Sequence, residues 1–161
     1  MKAFENCYNL IWDLEVFSSK PYIDSVGVAT IGLGNTIYKN GKKVTMKDKP
    51  ITLGEAKILS AHFIDKFALD VDLLVTADVT QNQFDALVSF AYNVGSDIDS
   101  DLIAEGLGDS TLLKKVNANP NDVTIRNEFV KWNKGTVKGK RIEIKGLTNR
   151  RAKESTLYFS K

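Results

Sequence analysis

Residues 15–36 read EVFSSKPYIDSVGVATIGLGNT, and this stretch decides the fold and contains the candidate chemistry. It starts where an amphipathic helical pattern ends, and it continues into short β-type runs punctuated by glycine. Two carboxylates and one hydroxyl fall within it, namely Glu15 at the helix end, Asp24 on a turn and Thr30 in an alternating strand. These positions can direct the three side chains into one cleft. An acid, a base and a hydroxyl that binds water are the groups that hydrolysis of a glycosidic bond requires.

The spacing of these three residues resembles the Glu–Asp–Thr constellation of the phage-type lysozymes, glycoside hydrolase family 24. Further segments resemble that family in the same order: PYIDSVG (21–27), TIGLG (30–34), TQNQFDALVSFAYNVG (80–95), STLLKKVN (110–117), FVKW (129–132) and GLTNRRAKE (146–154). A Glu–Asp–Thr spacing alone is weakly specific, whereas ordered segments over nearly the whole chain are strongly specific. The resemblance implies an α+β, predominantly helical, lysozyme-like fold. In such a fold a small β lobe and a helical lobe are joined by a long helix, with the cleft between them.

The length of 161 residues suits a single domain. We expect residues 1–161 to form it from an N-terminal helix at 2–14, a β lobe at about 16–50, a linking helix at about 52–75 and a helical lobe at about 80–160. Thr52 and Glu55 form a capping-box pattern that begins the linking helix. The Asn40-Gly41 pair predicts a hairpin turn in the β lobe. The β-type runs are expected at 26–31, 35–38 and 42–45, and the helices of the helical lobe at 81–94, 110–117, 121–133 and 147–158.

Composition argues against several classes of protein. Cys7 is the only cysteine and His62 the only histidine, so neither a disulfide framework nor a zinc site with nitrogen and sulfur ligands is expected. No apolar run approaches the roughly 18–20 residues that cross a bilayer. The N-terminal stretch contains Glu5, Asp13 and Glu15 and does not read as a secretory signal. We therefore expect no metal or other cofactor, no stable membrane insertion, and synthesis in the host cytoplasm without a signal peptide.

Charge is distributed unevenly along the chain. Residues 126–161 contain eleven Lys or Arg against three Asp or Glu, while the whole chain has a net charge of +2. This basic stretch either faces an anionic polymer, such as the cell wall or a nucleic acid, or is a solvated helical surface without a partner. Segments 97–109 and 134–145 depart most from the family pattern. The second of them is predicted to be either a loop or a small extra hairpin.

The resemblance implies an enzyme, a muramidase that hydrolyses the β-1,4 bond between N-acetylmuramic acid and N-acetylglucosamine. It makes Glu15 the general acid and Asp24 the negative partner, and it assigns the attacking water to Thr30, an arrangement that favours inversion. Asp24 also suits an ordinary turn and Thr30 an ordinary strand, so their catalytic interpretation comes from the family pattern. The resemblance points to a phage or prophage endolysin that reaches the wall through a membrane pore or after lysis. A virion-associated lysozyme or a secreted antibacterial effector fits the same residues.

The family pattern also implies roles for residues around the trio. The implied substrate-binding positions are Gly34, Tyr92, Asn93, Ser110 and Trp132. Trp132 suits a core position as well. Arg150 and Arg151 resemble a family arginine that approaches the catalytic glutamate, and one of the pair is expected to face solvent. Two usual family residues are replaced, since Val16 follows the acid in place of glycine and Asn35 follows the second glycine in place of histidine.

Two functions of other classes compete with this interpretation. A catalytically inactive glycan-binding or structural module would keep the same fold, but the intact trio argues against it. A nucleic-acid binder would use residues 126–161, but no recognised motif is present and aromatic residues are not interleaved with the Lys and Arg run. We expect a monomer whose partner is the glycan strand of peptidoglycan and which binds no nucleic acid.

Overall fold

The computed structural model describes residues 1–25, 27–99 and 105–161. The elements in these ranges are α1 (Glu5–Leu14), β1 (Ser18–Ile23), β2 (Ala29–Gly32), α2 (Leu53–Leu74), α3 (Gln81–Val94), α4 (Thr111–Ala118), α5 (Ile125–Val130), β3 (Lys134–Val137), β4 (Lys140–Glu143) and α6 (Lys145–Tyr158). Val26, which begins the expected run 26–31, and residues 100–104 of segment 97–109 lie outside the described residues. The architecture is predominantly helical with two small antiparallel strand pairs, as the sequence predicts.

Helix α3 forms the centre of the core. It packs against α1, α2 and α6, and most of its side chains are buried. Phe84, Leu87, Val88 and Ala91 recur at helical spacing and are almost completely buried. A helix that is covered on several sides needs apolar residues around most of its circumference. This central position fixes the end of α3, which carries Tyr92 and Asn93.

Strands β1 and β2 form the small antiparallel pair that follows α1. Tyr22 lies opposite Thr30 in its register. The expected hairpin turn at Asn40-Gly41 is present, since the Gly41 N–H donates to the Tyr38 carbonyl at 2.9 Å and Gly41 has φ +80°. Its flanks make only an isolated bridge between Ile37 and Lys43 rather than the predicted strands. Strand β1, in contrast, was not predicted, because a proline is a poor strand residue except at an edge.

Helix α2 connects the β1–β2 pair to the helical core. The predicted capping box begins it: the Glu55 N–H donates to the Thr52 hydroxyl, and the Thr52 N–H donates to the Glu55 carboxylate at 2.8 Å. The helix packs on β2 and on α3. A Cβ added to Gly32 would lie 3.0 Å from the Cβ of Ala56, so the strand approaches the helix at a glycine. This contact sets the distance between β2 and the helical core.

Two predicted boundaries are wrong. Helix α5 covers only 125–130 rather than 121–133, because the polar residues before it form turns instead of a helix start. Asp122 accepts a hydrogen bond from the Thr124 N–H at 2.8 Å, and its carbonyl accepts from the Ile125 N–H. Helix α1 begins at Glu5 rather than at residue 2. Segment 134–145 contains the small hairpin, β3–β4, which turns through Lys138 and Gly139 at positive φ. In the described ranges, no helix combines the length and the apolar composition that crossing a membrane requires.

Candidate active site

Glu15 is the residue at which the chain leaves α1. Its N–H still donates to the Ile11 carbonyl at 3.0 Å, but its ψ of 136° is extended, so the backbone turns away from the helix. The side chain is 21% exposed. Its Oε1 accepts a hydrogen bond from Nη1 of Arg150 at 2.6 Å, and its Oε2 faces the backbone of Gly34. The candidate acid is thus fixed by an ion pair on one side and by a glycine on the other.

Asp24 and Thr30 meet at the turn that joins β1 to β2. The Asp24 carboxylate accepts a hydrogen bond from the Val28 N–H at 2.8 Å, and the Asp24 N–H donates to the Val28 carbonyl at 2.9 Å. Thr30 is 2% exposed, and its hydroxyl donates to the same carbonyl at 3.1 Å. Since that donation uses the hydroxyl proton, the oxygen of Thr30 retains its capacity to accept a hydrogen bond from water.

The Tyr22 phenol is influenced by both the candidate acid and Asp24 of this turn. It lies opposite Thr30, and residues directly opposite in an antiparallel pair project from the same face. Burial raises the pKa of Tyr22, and the negative charges of Glu15 and Asp24 raise it further. Both carboxylates therefore lie within electrostatic range of the Tyr22 phenol. Tyr22 is a site residue that the sequence interpretation missed, although its alternation with Asp24 along the strand was a usable signal.

Tyr92 reaches the same region from α3. Burial raises its pKa, the hydrogen bond with Ser60 lowers it, and the charges of Glu15 and Arg150 act in opposite directions. Tyr92 lines a cavity of about 240 Å³ beside Glu15, and the other residues around this cavity are Gly34, Asn35, Thr36, Ile37, Phe63 and Phe67. The cavity is largely apolar and aromatic, with a few polar groups, which is the usual composition of a ligand pocket. The next residue, Asn93, is exposed, and its Oδ1 accepts from Nη2 of Arg151 at 2.8 Å.

The expectation that one of the two arginines faces solvent is wrong. Arg150 is 5% exposed and Arg151 is completely buried. Both bind Glu154, which is itself completely buried and also accepts a hydrogen bond from the Ser89 hydroxyl at 2.9 Å. A buried guanidinium requires a paired carboxylate, and Glu154 supplies one to both arginines. Arg150 alone extends from this cluster to Glu15.

Ser110 and Trp132 have structural positions instead. Ser110 is the N-cap of α4: its hydroxyl accepts from the Leu113 N–H at 3.0 Å and donates to the Leu107 carbonyl at 2.6 Å, and the residue is 1% exposed. Trp132 is half-buried and packs edge-on against Phe90. The substrate-binding expectation for these two residues therefore has no support in the structure.

The two replaced family residues fit the fold without strain. Val16 is 84% exposed, and among the described non-glycine residues positive φ values occur only at Asp97 and Lys138, so Val16 needs no left-handed conformation. Asn35 is buried and pairs its backbone with Ile31. Asp97 also belongs to an acidic group with Asp99 and Asp109, which is the only group of potential metal ligands among the described residues. Such acidic groups are common without an ion and indicate no metal chemistry by themselves.

Comparisons with known proteins identify the family of the chain. The model of the phage lysozyme family matches residues 13–154. The endolysin of Bacillus phage B103 is 38% identical over 154 residues, which are 94% of this chain and 52% of that protein, so this chain spans about half the length of that relative. The endolysin of Acyrthosiphon pisum secondary endosymbiont phage 1 is 32% identical over 94% of this chain and 93% of its own length.

A solved structure shares the fold over nearly the whole chain. The endolysin from Escherichia coli O157:H7 phage FAHEc1 superposes with a TM-score of 0.87 and 36% identity, covering 99% of this chain and 94% of that one. The family match, the relatives and this superposition all include the segment from Glu15 to Arg150. The chain therefore belongs to the phage lysozyme family.

Proposed function

We propose that this protein is a muramidase that cleaves the β-1,4 bond between N-acetylmuramic acid and N-acetylglucosamine of peptidoglycan during phage-driven lysis. The observation that carries the proposal is the close approach of the Glu15 carboxylate to the backbone of Gly34, two residues beyond the strand β2 that holds Thr30. Membership of the phage lysozyme family supports the class of reaction, and relatives that are endolysins support the role in lysis.

In the proposed reaction Glu15 donates a proton to the leaving glycosidic oxygen. A general acid contributes on the order of 10²–10⁴-fold to the rate. Thr30 binds the attacking water, because its hydroxyl proton is already directed to the Val28 carbonyl and its oxygen can accept a hydrogen bond from the water. That hydrogen bond orients a lone pair of the water toward the sugar, and the Asp24 carboxylate acts as the general base that takes the proton the water loses on attack.

The ion pair between Arg150 and Glu15 has to be reconciled with proton donation by Glu15. A guanidinium at 2.6 Å is the usual partner of a carboxylate, whereas a general acid must begin protonated. A glycan that fills the cleft excludes water, and this favours the neutral form of a carboxyl group. Proton donation by Glu15 therefore depends on how strongly the charge of Arg150 is compensated by its other neighbours.

The proposed partner is the glycan strand of peptidoglycan, and the chemistry uses no cofactor. The protein acts as a monomer and reaches the wall from the cytoplasm through a membrane pore or after lysis. A virion-associated lysozyme or an effector would use the same residues and the same reaction. These roles differ in delivery rather than in the bond that is cleaved.

Digestion of purified peptidoglycan followed by mass analysis of the fragments tests the proposal. We expect disaccharide-peptides with a reducing N-acetylmuramic acid end. Anhydro ends would indicate a transglycosylase, free peptides an amidase, and binding without cleavage an inactive module. Glu15→Gln should retain the fold and lose on the order of 10²–10⁴-fold in rate, whereas Glu143→Gln on the exposed strand β4 should behave as the wild type. A folded Glu15→Gln protein with near-native lysis would contradict the mechanism.

A further inference from the structure

We propose that Glu154 is a positioning residue for this reaction. It neutralises part of the charge of the two buried arginines, so that Arg150 can orient Glu15 by a hydrogen bond without fixing it in the ionised form. The inference rests on the proposed role of Glu15 as general acid. It adds a residue on α6 that touches neither the substrate nor the reacting atoms, and it explains how an acid next to a guanidinium can still be protonated.

The contacts of Glu154 connect α3 and α6 to the acid. Its Oε1 accepts hydrogen bonds from Nε of Arg150 at 3.2 Å, from Nη2 of Arg151 at 3.1 Å and from the Ser89 hydroxyl at 2.9 Å. Its Oε2 lies 2.9 Å from Nε of Arg151. Arg150 uses its Nε edge for Glu154 and its Nη1 for Glu15. One guanidinium therefore bridges the two glutamates, and the position of Glu154 orients the group that binds the acid.

Glu154 lowers the net positive charge of this cluster. Arg150 and Arg151 are both buried, and Arg151 lies over the ring of Phe90 at 4.8 Å. Burial lowers the pKa of Arg151 to about 10, although the charge of Glu154 acts to raise it. Arg151 therefore remains a cation near neutrality. With Glu154 ionised, the cluster carries a single positive charge when Glu15 is protonated. Without Glu154 it would carry two, and each additional positive charge favours the carboxylate of Glu15 over its acid form.

Other titratable groups also face this cluster. Burial raises the pKa of Glu154, while the charges of Arg151 and Arg150 and the hydrogen bonds from Ser89 and Arg150 lower it. On α1, Cys7 is buried within range of Glu154, which contributes to the raised pKa of that thiol. Tyr22 and Tyr92 face Glu15 from β1 and α3. Both phenols stay neutral around pH 7, so the charge on Glu15 in that range is governed by the carboxylates and the arginines.

The test compares the pH–activity profiles of variants on purified peptidoglycan. The activity of each variant is divided by that of the wild type at the same pH, so that the effect of titrating groups in the peptidoglycan itself cancels. The alkaline limb reports loss of the protonated acid. Glu154→Gln should move this limb to lower pH by about one unit, the size of shift that one nearby charge produces in a partly buried site. Glu154→Asp, which restores the charge, should return the limb toward its original position.

A second pair of variants keeps the test independent of whether Glu154→Gln folds. Arg151→Gln removes one cation and should move the limb to higher pH. Adding Glu154→Gln to it removes the anion as well, restores the charge balance, and should bring the limb back to the wild-type pH. Lys153→Gln serves as the control, because it removes a charge at an exposed position of the same helix and should leave the limb where it is.

The outcomes separate this inference from the proposed function. If Glu154→Gln folds and keeps the wild-type limb, or if the double variant has the same limb as Arg151→Gln, Glu154 does not act on the acid and the inference is wrong. If the wild type releases no reducing glycan ends, or if Glu15→Gln remains active, the proposed function itself is wrong. If the wild type is active and the alkaline limb shifts among the variants according to the charge at position 154, both the inference and the proposed function are supported.

Discussion

The carboxylate of Glu15 packs directly against the backbone of Gly34. A Cβ added to Gly34 would lie 3.0 Å from Oε2 of Glu15 and 3.5 Å from its carboxyl carbon. Gly34 also has φ +79°, a conformation that residues with a side chain rarely adopt. The sequence predicts a substrate-binding role for Gly34, and the structure adds a contact with the candidate acid. The position of the carboxylate therefore depends on a residue without a side chain.

Gly34→Ala should reduce lysis much more than it reduces stability. The new methyl group would lie 3.0 Å from Oε2, so the carboxylate must move by a few tenths of an ångström, and we expect at least a roughly tenfold loss of rate because small displacements of catalytic groups are costly. Gly41→Ala is the matched control, since Gly41 has φ +80° but no atom within 4 Å of an added Cβ. Both variants bear a similar backbone strain of about 1–2 kcal/mol.

Denaturant unfolding and initial lysis rates distinguish the two effects. The two variants should lose similar free energies of unfolding, and only Gly34→Ala should lose activity. Equal activity losses would mean that strain in the glycine turns, rather than the contact with Glu15, determines the rate.

Arg150→Gln should move the alkaline limb of the pH–activity profile to higher pH. The Arg150 charge stabilises the ionised form of Glu15 through the 2.6 Å contact, so its removal favours the protonated acid, and we expect a shift of up to about one pH unit. Lys153→Gln makes the same change of charge at an exposed site of α6 and should leave the limb in place. An unchanged limb in a folded Arg150→Gln protein would show that the contact does not control protonation of the acid.

Local signals in the sequence predicted the elements that position the site. The capping box predicted at Thr52 and Glu55 is present, because such a cap depends on residues only three positions apart, and the structure adds a second, unpredicted one at Thr80 and Gln83. The turn at Asn40-Gly41 formed for the same reason. The polar segment before α5 forms turns instead of the predicted helix start. Asparagine and aspartate side chains hydrogen-bond to nearby backbone groups both at helix N-termini and in turns, so the same residues are compatible with either structure.

The burial of both Arg150 and Arg151 could not be predicted from their neighbours in the sequence. The sequence interpretation expected one of the two arginines near Glu15 and the other in solvent, whereas both are buried against Glu154, whose hydrogen bond with Ser89 of α3 spans 65 positions of the chain. Ser110 is a different case. The family pattern implied substrate binding, whereas in the structure its hydroxyl caps helix α4. Long-range packing decides both cases, and a single sequence reports it only indirectly.

Glu128→Gln should lower stability in a pH-dependent way. Glu128 is 4% exposed and pairs with Lys115 at 2.9 Å and Lys131 at 2.7 Å. Burial acts to raise the pKa of Glu128, but the hydrogen bonds and charges of the two lysines outweigh it and the pKa is lowered. A lowered pKa stabilises the fold above the unfolded-state pKa, and this contribution is lost as pH falls through the folded-state pKa.

We therefore expect Glu128→Gln to lose about 1–3 kcal/mol of unfolding free energy at pH 7, because it leaves two lysines without their buried partner. The difference from wild type should begin to shrink as pH falls below the ordinary glutamate pKa of about 4.3 and should be lost as pH falls through the lowered pKa of the folded state. Denaturant titrations at several pH values measure this, with Glu143→Gln on the exposed strand β4 as the control. A difference that stays constant with pH would mean that shape rather than charge is responsible.

Thr30→Val should abolish most of the activity, and the wild type should invert the anomeric centre. Thr30 is buried with its hydroxyl proton on the Val28 carbonyl, so its oxygen can orient a water but, without an adjacent base, is a poor nucleophile. A bound water that attacks opposite Glu15 gives the α-anomer first. Valine keeps the shape and deletes the oxygen, and we expect a loss on the order of 10²-fold, whereas Thr30→Ser should retain most of the rate. Proton NMR of the first product decides, because an initial β-anomer would require a covalent or substrate-assisted route in which Thr30 orients no attacking water.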